Sequence, residues 1–243
     1  MARQKPEEAA GILESVLTQS GVDDQQGVLG ILGDLKSPRA DEVLGRWLDK
    51  LQARQVPLEI QLDLLEASAK RKSVEVKRKL AAYEASRPKN DLLARYREAL
   101  AGGDAEAGKH IFYHKDEVSC LRCHKINGEG GEVGPDLTGI GSRQKREYLL
   151  ESIVDPNKEI AKGFETVVLG LSNGQFTSGI IKSEDGKEIH LINADGKLLT
   201  VPRNQVEERL RGKSAMPDNA MKHLSKSDLR NLVEFLAGLR DKK

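Results

Sequence analysis

Residues 120–124 read Cys120-Leu121-Arg122-Cys123-His124 and hold both cysteines of the chain. Two thiols three positions apart can each add across a haem vinyl group, giving two thioether bonds. The next residue then lies under the porphyrin, where an imidazole nitrogen can bind iron. Cys-x-x-Cys-His is accordingly the signature of covalent c-type haem attachment. Other readings stand beside it. A thioredoxin-like pair needs a βαβ setting, which the flanking sequence lacks. A zinc site could combine Cys120 and Cys123 with His110 and His114, four apart on an expected helix. The two residues could also be plain free thiols. The histidine directly after Cys123 favours haem.

Outward from this pentapeptide the pattern changes in both directions. Downstream, GEGGEVGPDLTGIGS (residues 128–142) is rich in glycine and reads as loop. Residues 164–210 carry short β-type runs at 164–171, 175–182, 187–193 and 197–201. Asn173-Gly174, Asp185-Gly186 and Asp195-Gly196 separate them, and these are strong hairpin signals. A meander of four or five strands is expected, curled into a small barrel. The chain closes on a helix whose apolar face is Leu229, Leu232, Val233, Leu236 and Leu239, opened by Ser225 and Asp228 as a capping box.

Upstream, residues 1–100 read as helices. Apolar residues recur at three and four positions: Ile12, Leu13, Val16 and Leu17; Val28, Ile31, Leu32 and Leu35; Val43, Leu44, Trp47, Leu48 and Leu51; Leu58, Leu62, Leu65 and Ala69; Val76, Leu80 and Tyr83. Gly21, Ser37-Pro38, Val56-Pro57, Arg71–Ser73 and Arg87-Pro88 break the stripes, with Pro38 and Pro57 suited to a first helical turn. Helices this short must pack on one another, as antiparallel pairs in a solenoid do. The basic run Lys70-Arg71-Lys72 and Lys77-Arg78-Lys79 is interspersed with Glu66, Glu75 and Glu84, so a solvated face is expected rather than a docking patch. The expected fold is thus mainly α with a small β insertion: residues 1–100 a helical-repeat segment, residues 101–243 a haem domain, and the insertion at about 164–210.

Composition narrows the function classes. Lys plus Arg total 39 and Asp plus Glu 38, a net charge of +1, which lacks the positive excess that nucleic-acid binding requires. No apolar run is long enough to cross a bilayer. The stretch MARQKPEEAAGILESVL at the start has no apolar core of the kind a secretion signal needs. Aromatic residues are 4% of the chain, so its cores are expected to be aliphatic.

The segment from Gly103 to Leu239 resembles a class I cytochrome c domain. Gly108 and Phe112 precede the haem motif, as a small residue and an aromatic do in that family, where they pack on the last helix; here the partners would be Leu232, Phe235 and Leu236. Gly134-Pro135-Asp136-Leu137 follows, and the resemblance implies that the Pro135 carbonyl accepts a hydrogen bond from the proximal imidazole of His124. Ser214-Ala215-Met216-Pro217 stands before the last helix, and the resemblance makes Met216 the distal ligand, with Met221 as the alternative. Short class I cytochromes have no sheet between the two ligands. The insertion could cover a haem edge, dock a partner, bind a ligand or be a tolerated loop. Deleting most of it is expected to leave the haem spectrum recognisable.

Over nearly its whole length the chain is similar to a haem-binding module at the C-terminus of large planctomycete and verrucomicrobial proteins. The similarity rests on DLKSPRADEVLGRWLDKL (34–51), VPLEIQLDLLEA (56–67), the run from Cys120 to Pro156, AKGFETV (161–167) and GKSAMP (212–217). It implies a HEAT-like N-terminal segment and an excised piece of a longer exported protein, periplasmic or otherwise extracytoplasmic. It also implies a fused or partner dehydrogenase as electron donor. The expected function is single-electron transfer by one covalent haem c, with His124 and Met216 on the iron and a downstream cytochrome or oxidase as acceptor. The alternatives are a haem sensor or catalyst with a labile distal Met, and an interaction module with structural haem.

Overall fold

The computed structural model describes residues 5–241, and the chain divides into two compact units, Met1–Gly103 and Asp104–Lys243. Residues 1–4 of the stretch read for a secretion signal lie outside the described residues, as do residues 242 and 243.

The first unit contains α1 (Pro6–Gln19), α2 (Val22–Asp34), α3 (Pro38–Gln52), α4 (Leu58–Ala69) and α5 (Val74–Ala85), then two short 3-10 turns. Pro6 and Pro38 sit in first turns, where the missing N–H is not needed. Pro57 instead caps α4 from one position outside it. Ser37 and Ser73 accept the N–H groups of Ala40 and Val76, satisfying donors that a helix start leaves open. Helix α2 packs on α4, α3 on α5, and α1 on both α2 and α3. Odd and even helices therefore form two layers around an aliphatic core that includes Leu29, Leu32, Val43, Leu44, Leu48, Ile60 and Leu64.

Three residues of the expected stripes face solvent, Ala69 at the end of α4 among them. Ile12 is 59% and Ile31 49% exposed, because α1 turns Ala10 and Leu17 inward and α2 turns Val28, Leu29 and Leu32 inward. The basic run also differs from a uniformly solvated face. Arg71 folds back, and its guanidinium donates to the carbonyls of Leu35 (2.6 Å), Gly33 (3.2 Å) and Ser37 (3.2 Å) and to Asp41 Oδ1 (2.6 Å). It satisfies carbonyls left open where α2 ends.

The second unit is built around a crossing of two helices, α6 (Ala105–His114) and, at the far end of the chain, α10 (Lys226–Gly238). Leu229, Leu232, Val233 and Leu236 of α10 are buried at helical spacing. Each such side chain contributes about 1.5–3 kcal/mol by leaving water. Gly108 lets the backbones meet: a Cβ there would run into the carbonyl of Asn231. One turn on, the Phe112 ring stacks at 5.8 Å from Phe235. Between these helices come α7 (Cys120–Cys123), the two-residue strands β1 (Lys125–Ile126) and β2 (Glu129–Gly130), α8 (Ile140–Arg143) and α9 (Arg146–Val154). The β1–β2 hairpin corrects the reading of residues 128–142 as plain loop. Asn127 and Gly128 both take positive φ, the geometry of a tight primed turn.

The insertion forms β3 (Thr166–Leu171), β4 (Phe176–Glu184), β5 (Glu188–Ile192), β6 (Leu198–Pro202) and β7 (Val206–Arg211). Its order, β6-β5-β4-β3-β7, is a four-strand meander whose fifth strand returns to the opposite edge. All pairings are antiparallel. The expected barrel does not close: among the described residues β6 and β7 do not pair with each other. The sheet is nonetheless curled, because a single 3-10 turn (Arg203–Gln205) carries the chain between its two edges. Val201 of β6 and Val206 of β7 share one apolar cluster with Leu169, Ile189 and Leu191.

Candidate functional site

The Cys-Leu-Arg-Cys-His run is held by its own backbone. Ser119 adopts a left-handed conformation, which turns the chain into the single turn α7. The His124 N–H donates to Cys120 O at 2.9 Å and closes that turn. The following loop wraps it: Gly131 N–H donates to Leu121 O at 3.0 Å and Gly134 N–H to Cys123 O at 2.7 Å. Cys120 and Cys123 are half-buried and carry no disulfide. Burial pushes the Cys120 thiol up to about 11, so it remains a neutral S–H at physiological pH.

His124 is fixed by one hydrogen bond. Its Nδ1 lies 3.0 Å from the carbonyl oxygen of Pro135. A carbonyl only accepts, so Nδ1 carries the proton and Nε2 keeps its lone pair. Burial lowers the pKa of the ring, and the Pro135 carbonyl opposes that shift only in part. The imidazole is therefore neutral, as a metal ligand must be. Gly134 presses on the ring face: a Cβ there would lie 2.5 Å from His124 Cε1.

Met216 is half-buried in the segment between β7 and the 3-10 turn Ala220–Lys222, and its N–H donates to Ser214 Oγ at 3.2 Å. Asn157 Oδ1 accepts the Ser214 N–H at 2.9 Å. The neighbouring Ala215 packs, together with Cys123 and Phe164, on the buried cluster Val133, Ile180 and Ile192. Thus Cys120, Cys123, His124 and Pro135 meet directly, and the Met216 segment joins them through Ala215. Met221 lies in the 3-10 turn itself, which packs against α9.

The zinc alternative is not assembled. His110 and His114 are exposed neighbours on α6, with ring centroids 5.1 Å apart. Among the described residues no three of His, Cys, Asp and Glu come together as a metal-binding group.

Two thiols on one turn, a neutral imidazole with a fixed tautomer, and an apolar surround form a donor set that fits haem c. The comparison with known families agrees. The family model described as Cytochrome c matches residues 105–189. This stretch carries a cytochrome c domain. Among curated proteins, cytochrome c of Cochliobolus lunatus and cytochrome c of Arabidopsis thaliana are each 36% identical over 64 residues, and cytochrome c of Stellaria longipes is 38% identical over 64 residues. Each match covers 26% of this chain and 52% to 54% of the relative, so the chain spans about half the length of the curated relatives it matches. A match to this family points to electron transfer on covalently bound haem. The matched stretch includes Cys120, Cys123, His124 and Pro135 and ends before Met216.

Several residues at this site were not singled out from sequence: Val133, Asn157, Phe164, Ile180 and Ile192. Alternation along β4 and β5 marks inward and outward sides. It does not say that the second side is also covered.

Proposed function

We propose that the chain is an electron-transfer module holding one haem c, attached through Cys120 and Cys123, with His124 as proximal and Met216 as distal ligand. The hydrogen bond from His124 Nδ1 to the Pro135 carbonyl carries this reading. It leaves Nε2 as the only ring atom available to a metal and holds the ring in one orientation. When bound, the haem supplies reversible one-electron chemistry at iron. Around it, Cys120 and Cys123 bind and retain the group, and Gly134 and Pro135 orient the imidazole. Met216 offers a thioether sulfur that favours the ferrous state, and Val133, Ile180 and Ile192 exclude water. Two protein ligands favour passing electrons over binding oxygen.

The first unit is read as a HEAT-like helical segment, a reading supported by its two layers of paired helices. In this proposal the chain is part of a longer extracytoplasmic protein of the planctomycete module type. A fused or partner dehydrogenase donates the electron, and a downstream cytochrome or oxidase accepts it. No helix among the described residues is long and apolar enough to cross a membrane.

The test is a visible spectrum of protein produced with c-type maturation, recorded oxidised, reduced, and reduced under carbon monoxide. Sharp ferrous bands unchanged by carbon monoxide are expected. A spectrum that shifts with the gas overturns the assignment of two protein ligands. Haem that leaves the chain on a denaturing gel overturns covalent attachment.

A further inference from the structure

A single row of residues crosses the inserted sheet. Thr166 of β3 pairs with Ile180 of β4, and Ile180 pairs with Ile192 of β5. Paired residues in an antiparallel sheet project from the same face. This row faces away from the curled core of the insertion, which is filled by Leu169, Ile181, Ile189 and Leu191. Its contacts are those of the candidate site. Ile180 and Ile192 pack with Val133, Cys123 and Ala215. The Thr166 hydroxyl donates to the carbonyl of Lys213, and the Gly212 N–H donates to Thr166 O at 2.9 Å. At the register shift that follows in β4, Lys182 Nζ donates to Glu132 O at 2.9 Å, beside Val133.

One face of the sheet therefore grips both loops at once: Glu132-Val133, which leads into Gly134 and Pro135, and Gly212-Lys213, which leads into Met216. We propose that the inserted sheet is a positioning element of the haem compartment. In it Thr166 and Ile180 hold the Met216 segment in register with the Cys123–Pro135 loop. This rests on the haem reading above. Of the roles open to the insertion it favours cover for a haem edge over a tolerated loop, because Ile180 and Ile192 are buried on this face while Leu169, Ile189 and Leu191 are buried on the other. The long separation of the two ligands in sequence has the same explanation, since the sheet brings the second one back.

The test uses the full chain produced with c-type maturation. Thr166→Val removes the hydroxyl bond to Lys213 at nearly constant volume, and Thr166→Ser restores it. Ile180→Ala opens the row, and Ile180→Val serves in its place if the alanine variant does not fold. Leu191→Ala hollows the opposite face of the same sheet and controls for general loss of stability. Thr166→Val and the Ile180 variant are expected to keep covalent haem on a denaturing gel while their ferrous spectra become sensitive to carbon monoxide. Thr166→Ser and Leu191→Ala are expected to stay insensitive. If Thr166→Val and the Ile180 variant both retain a closed site, or if Leu191→Ala opens it equally, the positioning role is wrong. Absence of covalent haem from the parent protein removes the haem reading and this inference together.

Discussion

Gly134 lies against the imidazole of His124 so closely that no side chain fits between them. The same loop, one residue later, supplies the carbonyl that receives the Nδ1 proton. Contact on the ring face and a hydrogen bond at the ring edge fix two rotations of one side chain. Gly134→Ala is therefore expected to displace the ring or the loop, costing about 1–3 kcal/mol as overpacked sites do. Chemical denaturation of the haem-loaded protein checks this. A midpoint equal to the parent's would show that the loop yields freely.

Cys120→Ala combined with Cys123→Ala is expected to abolish covalent haem, since both thiols of the chain lie on α7. Haem retained by the double variant on a denaturing gel contradicts the attachment site.

Met216→Ala is expected to lower the reduction potential and make ferrous iron accessible to carbon monoxide, because a thioether ligand favours the reduced state. Met221→Ala is expected to do neither, lying in a turn that packs on α9. The opposite pattern would exchange the two residues.

Gly108→Ala puts a methyl group into the Asn231 carbonyl at the α6–α10 crossing. The expected cost is about 1–3 kcal/mol, read as a lower urea midpoint with an unchanged slope. Stability equal to the parent's would mean that the helices separate without penalty.

The start of α10 gives a pH dependence. Burial alone would raise the Asp228 carboxyl, but the Ser225 N–H, the Lys115 ammonium and the Ser225 hydroxyl outweigh it and hold the pKa below the usual value. A group depressed in the folded state stabilises fully above its unfolded pKa. That contribution disappears as pH falls through the folded value. Asp228→Asn should therefore lower stability at neutral pH and flatten its decline in acid. Ser225→Ala should cost about 1 kcal/mol through the lost cap. Melting curves from neutral to acid pH decide both. Parallel acid declines for Asp228→Asn and the parent would contradict the assignment.

Much of this architecture is legible from residue spacing. The apolar residues of α10 repeat every three or four positions, and three Asx-Gly pairs mark the turns of β3 to β6. The turn at Asn127-Gly128 carried the same signal between strands too short to show alternation. What spacing does not reveal is which neighbour covers a face. Ile12 and Ile31 fit a helical stripe and still face water. Ile180 and Ile181 are adjacent apolar residues on one strand, and only the fold assigns them to different clusters. The return of β7 to the edge of β3 is equally hidden, because the turn at Arg203–Gln205 lacks an Asx-Gly pair.

The strand order of the insertion separates local contacts from long-range ones. The α7 turn closes with bonds between near neighbours, such as His124 N–H to Cys120 O. The Gly212–Met216 segment is placed by the pairing of Val167 with Arg211 and the bond from Gly212 N–H to Thr166 O, contacts between distant parts of the chain. In the haem reading proposed above, Cys120 and Cys123 would hold the group on contacts local to residues 119–134, whereas Met216 would depend on this longer-range pairing.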